Sequence, residues 1–198
     1  MPDKPDLTAL LGSRICHDLI SPIGAIGNGL ELLMMDGTQG GPEMVLISES
    51  VANASARIRF FRVAFGMAQD EQRIGRAEVQ SVLADMTRGG RLQIDWTSGN
   101  DLSRAQVKTA FLLIQCLENA MAYGGRVAVT VTEGKWLITG QADKLRINTD
   151  LWQMLADPSA SPEITPAVVQ FPLVADEVLR RGYRLRTTLA PTEIQLEF

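Results

Sequence analysis

From Met44 to Ala68 the chain sets Met44, Ile47, Val51, Ala54, Ile58, Phe61, Phe65 and Ala68 in alternating steps of three and four. Only an α-helix gathers residues so spaced on one side, and the regular alternation is that of a coiled-coil seam. Pro42 occupies a natural first helical position, so the spacing predicts a helix over Glu43–Asp70, about 40 Å long at roughly 1.5 Å per residue. Upstream, Asp6 suits an N-cap, and Leu7, Leu11, Ile15, Leu19, Pro22, Ile26, Leu30 and Leu33 line one face of another long helix. The short stretch DGTQGG (Asp36–Gly41) between them makes the two antiparallel. Two helices cannot cover seams of this length by themselves. A second copy completing a dimeric four-helix bundle is expected; the alternative is that the C-terminal half covers the seam within one chain.

After a polar junction at Gln69–Gly75 the patterning becomes mixed. Ala77–Met86 reads as a short helix, Leu92–Trp96 as a strand, and Ser103 as the N-cap of a helix running to Tyr123 and ended by Gly124-Gly125. Arg126–Thr132 alternates as a strand and Glu133-Gly134 as a turn; Trp136–Thr139 and Leu145–Asn148 continue a meander. Pro166–Arg181 is helical with an irregularity at Pro172, followed by strands at Arg184–Leu189 and Ile194–Phe198 about a turn at Pro191. The fold predicted is an all-α hairpin over residues 1–71, then an α+β sandwich over residues 76–198 with its helices on one face of a mixed sheet.

Composition removes several classes of function. The formal charge of −4 and pI near 5.1 speak against a phosphate-backbone binder, so nucleic acid is not an expected partner. No apolar run approaches the roughly 18 residues of a membrane span, and the start, MPDKPDLTALL, lacks a basic segment leading into an apolar one. A soluble, cytoplasmic protein is expected, with no membrane partner. Cys16 and Cys116 stand far apart without a CxxC or Cys/His cluster, which predicts neither disulfide nor metal site. Arg57, Arg59 and Arg62 form one basic cluster and Arg180, Arg181, Arg184 and Arg186 another, each readable as a solvated face.

His17 is the sole histidine. At about 100° per residue the apolar stripe of the first helix centres on Ile15, Ile26 and Leu33, and His17 falls nearly opposite. Ser13, Arg14, Ser21 and Gly24 lie within a turn of it, with Asn28 beyond, so the imidazole stands clear of the surface. That geometry weakens the reading of a core histidine and leaves an idle surface residue or a functional one. Asp18 is next in sequence and able to orient the ring. Pro22 lacks an N–H, so the helix is expected to bend just past the histidine. Gly24, Gly27 and Gly29 each cost about 1 kcal/mol of helix propensity, a concentration that points to close approach by a partner or to helix packing.

The stretch HDLISPIGAIGNGLELL (His17–Leu33) resembles the phosphoacceptor H-box of sensor histidine kinases, a His followed by an acidic residue and then a Thr/Ser-Pro pair; His17, Asp18, Ser21 and Pro22 hold those positions. QCLENA (Gln115–Ala120) resembles the kinase N-box, with Asn119 at its second asparagine. The first N-box asparagine is Gln115 here, Thr132–Asp150 lacks a DxGxG pattern, and Val168–Leu185 has the helix that follows a phosphate loop without the glycine-rich loop. A kinase-like hairpin joined to a degenerate ATPase-like domain is similar to the ChpT-type histidine phosphotransferases.

That resemblance implies a phosphorelay carrier. His17 would accept a phosphoryl group from a receiver-domain aspartate of a hybrid kinase and pass it to response-regulator receivers. Asp18 would orient or deprotonate the ring, Arg14 and Ser21 could contact the transferring oxygens, and Gly24, Gly27 and Asn28 would admit the receiver. No cofactor or metal would be bound by this chain, Mg²⁺ being supplied by the receiver. Two alternatives remain at this level: an ATP-dependent kinase core with divergent nucleotide motifs, and a non-catalytic dimeric docking or inhibitor protein of two-component signalling.

Overall fold

The computed structural model describes residues 6–36, 41–157, 160 and 162–198. Helix α1 (Leu7–Asp36) starts where Asp6 Oδ1 accepts from the amides of Thr8 and Ala9 at 3.0 and 3.1 Å. Pro22 lies inside α1, which runs as one α-helix through it. Helix α2 (Pro42–Ala64) has Pro42 in its first turn and returns along α1. Within DGTQGG, positions 37–40 lie outside the described residues.

The chain then forms β1 (Arg73–Gly75), α3 (Arg76–Thr87), β2 (Leu92–Thr97), β3 (Asp101–Ser103), α4 (Arg104–Ala120), β4 (Gly125–Thr132) and β5 (Lys135–Gln141). Helix α5 (Thr149–Ala156), a 3₁₀ turn (Pro166–Val168), α6 (Gln170–Arg181), β6 (Arg186–Leu189) and β7 (Glu193–Glu197) complete it. Five strands make a mixed sheet in the order β2-β4-β5-β7-β6, parallel only between β2 and β4. Glu133 and Gly134, both at positive φ, close the β4–β5 hairpin as a primed turn requires. Val127 and Val129 of β4 and Trp136, Ile138 and Gly140 of β5 alternate inward against the helices, and their neighbours face out. This is a two-layer sandwich.

Helix α4 is its keel. Twelve of its 17 residues are buried, and Phe111 stacks on Phe60 of α2 with ring centroids 4.9 Å apart. Phe60, Phe61, Val63 and Ala64 therefore share one core with α4 and the sheet. The C-terminal end of α2 is embedded in the α/β layer, and α1 touches that layer through Ile15 and the 3₁₀ turn.

Four local readings are corrected. Helix α2 ends at Ala64 rather than Asp70, because Arg104 donates to the carbonyls of Val63 and Arg62 at 2.9 and 2.7 Å and replaces the next helical turn. The polar junction carries β1, which pairs with β3. Leu145–Asn148 is not a strand: β5 is already paired on its other edge with β7, so the meander cannot continue there, and Leu145 and Ile147 instead pack on the core from a loop. The irregularity before Arg181 is the junction at Val169 between the 3₁₀ turn and α6, and Pro172 sits in the first turn of α6, where a missing N–H is tolerated.

Candidate functional site

The exposed face of α1 opposite its packed stripe carries His17, Ser21, Gly24 and Asn28, all solvent-accessible. The His17 side chain is 86% exposed. A Cβ built on Gly24 or Gly27 would meet nothing within 4 Å, whereas one on Gly29 would lie 2.7 Å from Ile47 Cγ1. Gly29 thus serves packing inside the hairpin, and among the described residues nothing would obstruct a side chain at Gly24 or Gly27.

Beneath the histidine lies a charged floor. Asp18 Oδ1 is 3.2 Å from His17 Nδ1, although adjacent helical positions do not normally face each other. A carboxylate only accepts, so a neutral ring in this geometry holds its proton on Nδ1 and turns the Nε2 lone pair outward. Asp18 itself is only 10% exposed, and its Oδ2 receives Arg14 Nε at 2.8 Å, with Arg57 Nη1 at 3.7 Å. Arg14 also donates from Nη1 to the carbonyl of Ala167 at 2.8 Å. Glu118, in the last turn of α4, completes the group. Desolvation pushes its carboxyl above the usual range, Arg14 and Arg57 pull it back, and Asp18 adds to the rise; its side chain keeps an exposed edge.

Next to this floor a cleft of about 440 Å³ runs between the hairpin and the α3–β2 turn, lined by Asp18, Ser21, Asn53, Arg57 and Gly89 among others. Arg57 also borders a second hollow of about 360 Å³ that includes Glu118. Sequence reasoning assigned no site role to Arg57 or Glu118. Arg57 was legible in principle: Gly29 meets Ile47 across the hairpin, and reflection about the same loop midpoint sets Asp18 opposite Ile58, the neighbour of Arg57. Glu118 had no such signal, since α4 reaches the hairpin only through tertiary packing.

The kinase-like N-box has a different fate. Gln115 is 3% exposed and turned into the core, while Asn119 is exposed. Between α4 and the sheet the space is filled: a Cβ on Gly140 of β5 would lie 2.9 Å from Leu117 Cδ2 and 3.1 Å from Met121 Sδ. Beyond β5, Leu151, Trp152, Met154 and Leu155 of α5 are buried, with Trp152 edge-on to Phe171 of α6 at 5.3 Å.

An outward histidine beside a carboxylate thus stands on a helical hairpin fused to a filled α/β layer. Residues 76–193 match the histidine phosphotransferase C-terminal domain, and the chain belongs to that family. It is similar to the protein phosphotransferase ChpT of Brucella abortus (strain 2308), with 38% identity over 151 residues, 72% of this chain and 70% of that protein. It is also similar along its whole length to a bacterial phosphotransferase of known structure, with 32% identity, a TM-score of 0.82 and coverage of 100% of this chain and 97% of the other. The helical hairpin followed by a helix-and-sheet sandwich is the fold that the sequence predicted, and the bacterial phosphotransferase shares it.

Proposed function

We propose that this chain carries phosphoryl groups on His17 between receiver domains. The observation that carries the reading is the Nδ1–Asp18 contact on a side chain otherwise open to solvent, which directs Nε2 outward. In the accepting step, Nε2 attacks the phosphorus of an aspartyl phosphate on the donor receiver. An N–P bond forms, the P–O bond to the aspartate breaks, and the aspartate leaves as a carboxylate. The ring becomes a phospho-imidazolium still protonated on Nδ1, and Asp18 offsets its charge. In the second step the carboxylate of another receiver takes the phosphoryl group and the neutral ring returns.

Such a loose, in-line transfer depends on positioning and charge neutralisation, and the Mg²⁺ it needs would be held by the receiver. Ser21, Gly24 and Asn28 continue the exposed face beyond His17 and would receive the docked partner. A receiver rather than a nucleotide is favoured as donor by the inward Gln115 and the filled space between α4 and the sheet.

A homodimer forms part of the proposal. In α2 the seam divides: Met44, Val51 and Ile58 are 43%, 47% and 55% exposed, and Ile20, Ile23 and Leu30 of α1 are 69%, 58% and 54% exposed. Such a stripe, with Gly27 open in its middle, suits a second hairpin packed alongside. Among the described residues no helix is long and apolar enough to cross a membrane, and a cytoplasmic site of action is proposed for the relay. Incubation with a phosphorylated receiver tests the reading: acid-labile label on the wild-type chain and none on His17→Ala supports it, and equal label on both contradicts it.

A further inference from the structure

The hairpin and the α/β layer are joined by arginines that donate across the boundary to backbone carbonyls. Arg104 reaches Val63 and Arg62, and Arg181 reaches Ala68. Arg14 is the third, and it differs in what else it holds. Its Nε is bonded to Asp18 Oδ2 and its Nη1 to the Ala167 carbonyl, both at 2.8 Å. Ala167 belongs to the 3₁₀ turn directly before α6, whose Gln170, Phe171 and Val174 are buried in the core. The carboxylate that orients His17 is thus connected through one guanidinium to the rigid start of α6.

We propose that Arg14 is a positioning residue, which fixes Asp18, and through it the His17 ring, against the α/β layer. The inference rests on the phosphotransfer reading and deepens it by giving the degenerate domain a part in aligning the phosphoacceptor. A guanidinium offers donors in one plane at fixed directions and serves both acceptors at once, whereas a lysine ammonium is a point charge that cannot span them in the same geometry. With the Arg14 side chain 19% exposed and Asp18 10% exposed, the pair is more sheltered than a surface ion pair and is screened less. Arg57, more distant from Asp18 and 38% exposed, balances charge without reaching the Ala167 carbonyl. A direct contact with the transferring oxygens would fall to the remaining guanidinium donors, since Nε–H and one Nη1–H are already engaged.

The test compares Arg14→Lys and Arg14→Ala in the full chain. Because His17 is the sole histidine, the ring ¹⁵N spectrum of labelled protein reports one imidazole, and it needs no partner. In wild type the neutral ring is expected to be predominantly the Nδ1–H tautomer; in both variants that bias falls, and amide exchange in the peptide 165–173 rises several-fold while the β4–β5 hairpin is unchanged. With saturating phosphorylated receiver the transfer rate falls about tenfold in both variants, and the half-saturating receiver concentration stays within about twofold.

Recovery of most of the rate by lysine, or an unchanged tautomer and unchanged exchange in both variants, overturns the inference. If the wild-type chain takes no phosphoryl group at all, the transfer reading fails, and the tautomer and exchange measurements still decide whether Arg14 positions the ring.

Discussion

Helices α1 and α4 carry the two kinase-like motifs and treat them in opposite ways. In α4, 12 of 17 residues are buried and the N-box glutamine is among them. In α1 the motif histidine stands out in solvent, and an adjoining apolar stripe at Ile20, Ile23 and Leu30 lies open. One helix is thus a packed scaffold and the other presents an exposed surface. Burial identifies the helix that stabilises the molecule, and exposed apolar residues mark the one on which the proposed partners would dock.

Substitutions that exchange these characters are expected to differ sharply. Phe111→Ala in α4 removes a ring that contacts both Phe60 and Trp96, and should lower unfolding free energy by about 3–5 kcal/mol in denaturant titration. On α1 and α2, Ile20→Lys with Val51→Lys should leave the unfolding midpoint of the α/β layer unchanged and weaken self-association at least about a hundredfold, close to 2.7 kcal/mol, in sedimentation equilibrium. A monomeric wild type at micromolar concentration would remove the basis for that comparison.

Asp18→Asn keeps the shape of the floor but removes its charge. Transfer should slow on the order of tenfold or more, because an amide no longer selects one tautomer of the ring and no longer offsets the phospho-imidazolium. The smallest effect is expected at the junction of the two helices. Between the ordinary carboxyl value of 4.5 and its raised folded value, Glu118 holds a proton in the folded chain that the unfolded chain has released. This group therefore lowers stability as pH rises through that window. Glu118→Gln abolishes the dependence, so the variant should gain on wild type as pH rises above the ordinary carboxyl value in matched denaturant titrations.

Periodicity made the hairpin legible because helical spacing is a local property, and the same spacing put His17 on the outer face where it is found. Strands β4 and β5 were legible from alternation and from the turn at Glu133-Gly134. What escaped was decided by distant partners. The end of α2 depends on Arg104, which follows it by forty residues or so in the chain yet caps its last carbonyls. The failure of Leu145–Asn148 to form a strand depends on β7 occupying the sheet position beside β5. Helix α5 is eight residues long, too short for its periodicity to stand out from alternation, although Asn148 accepts from the amides of Asp150 and Leu151 as an N-cap. At the site, His17, Asp18 and the small residues beyond them were read in sequence, and Glu118 was hidden because only the fold brings α4 beneath α1.

The central claim is that His17 takes its phosphoryl group from a receiver aspartate. Purified chain mixed with a ³²P-labelled receiver, without nucleotide, tests it most directly, with His17→Gln and an ATP-only reaction alongside. Acid-labile, base-stable label is expected on the wild-type chain, none on His17→Gln, and none from ATP and Mg²⁺ alone. Robust labelling from ATP in the absence of any receiver, or label from the receiver that survives His17→Gln, would contradict it.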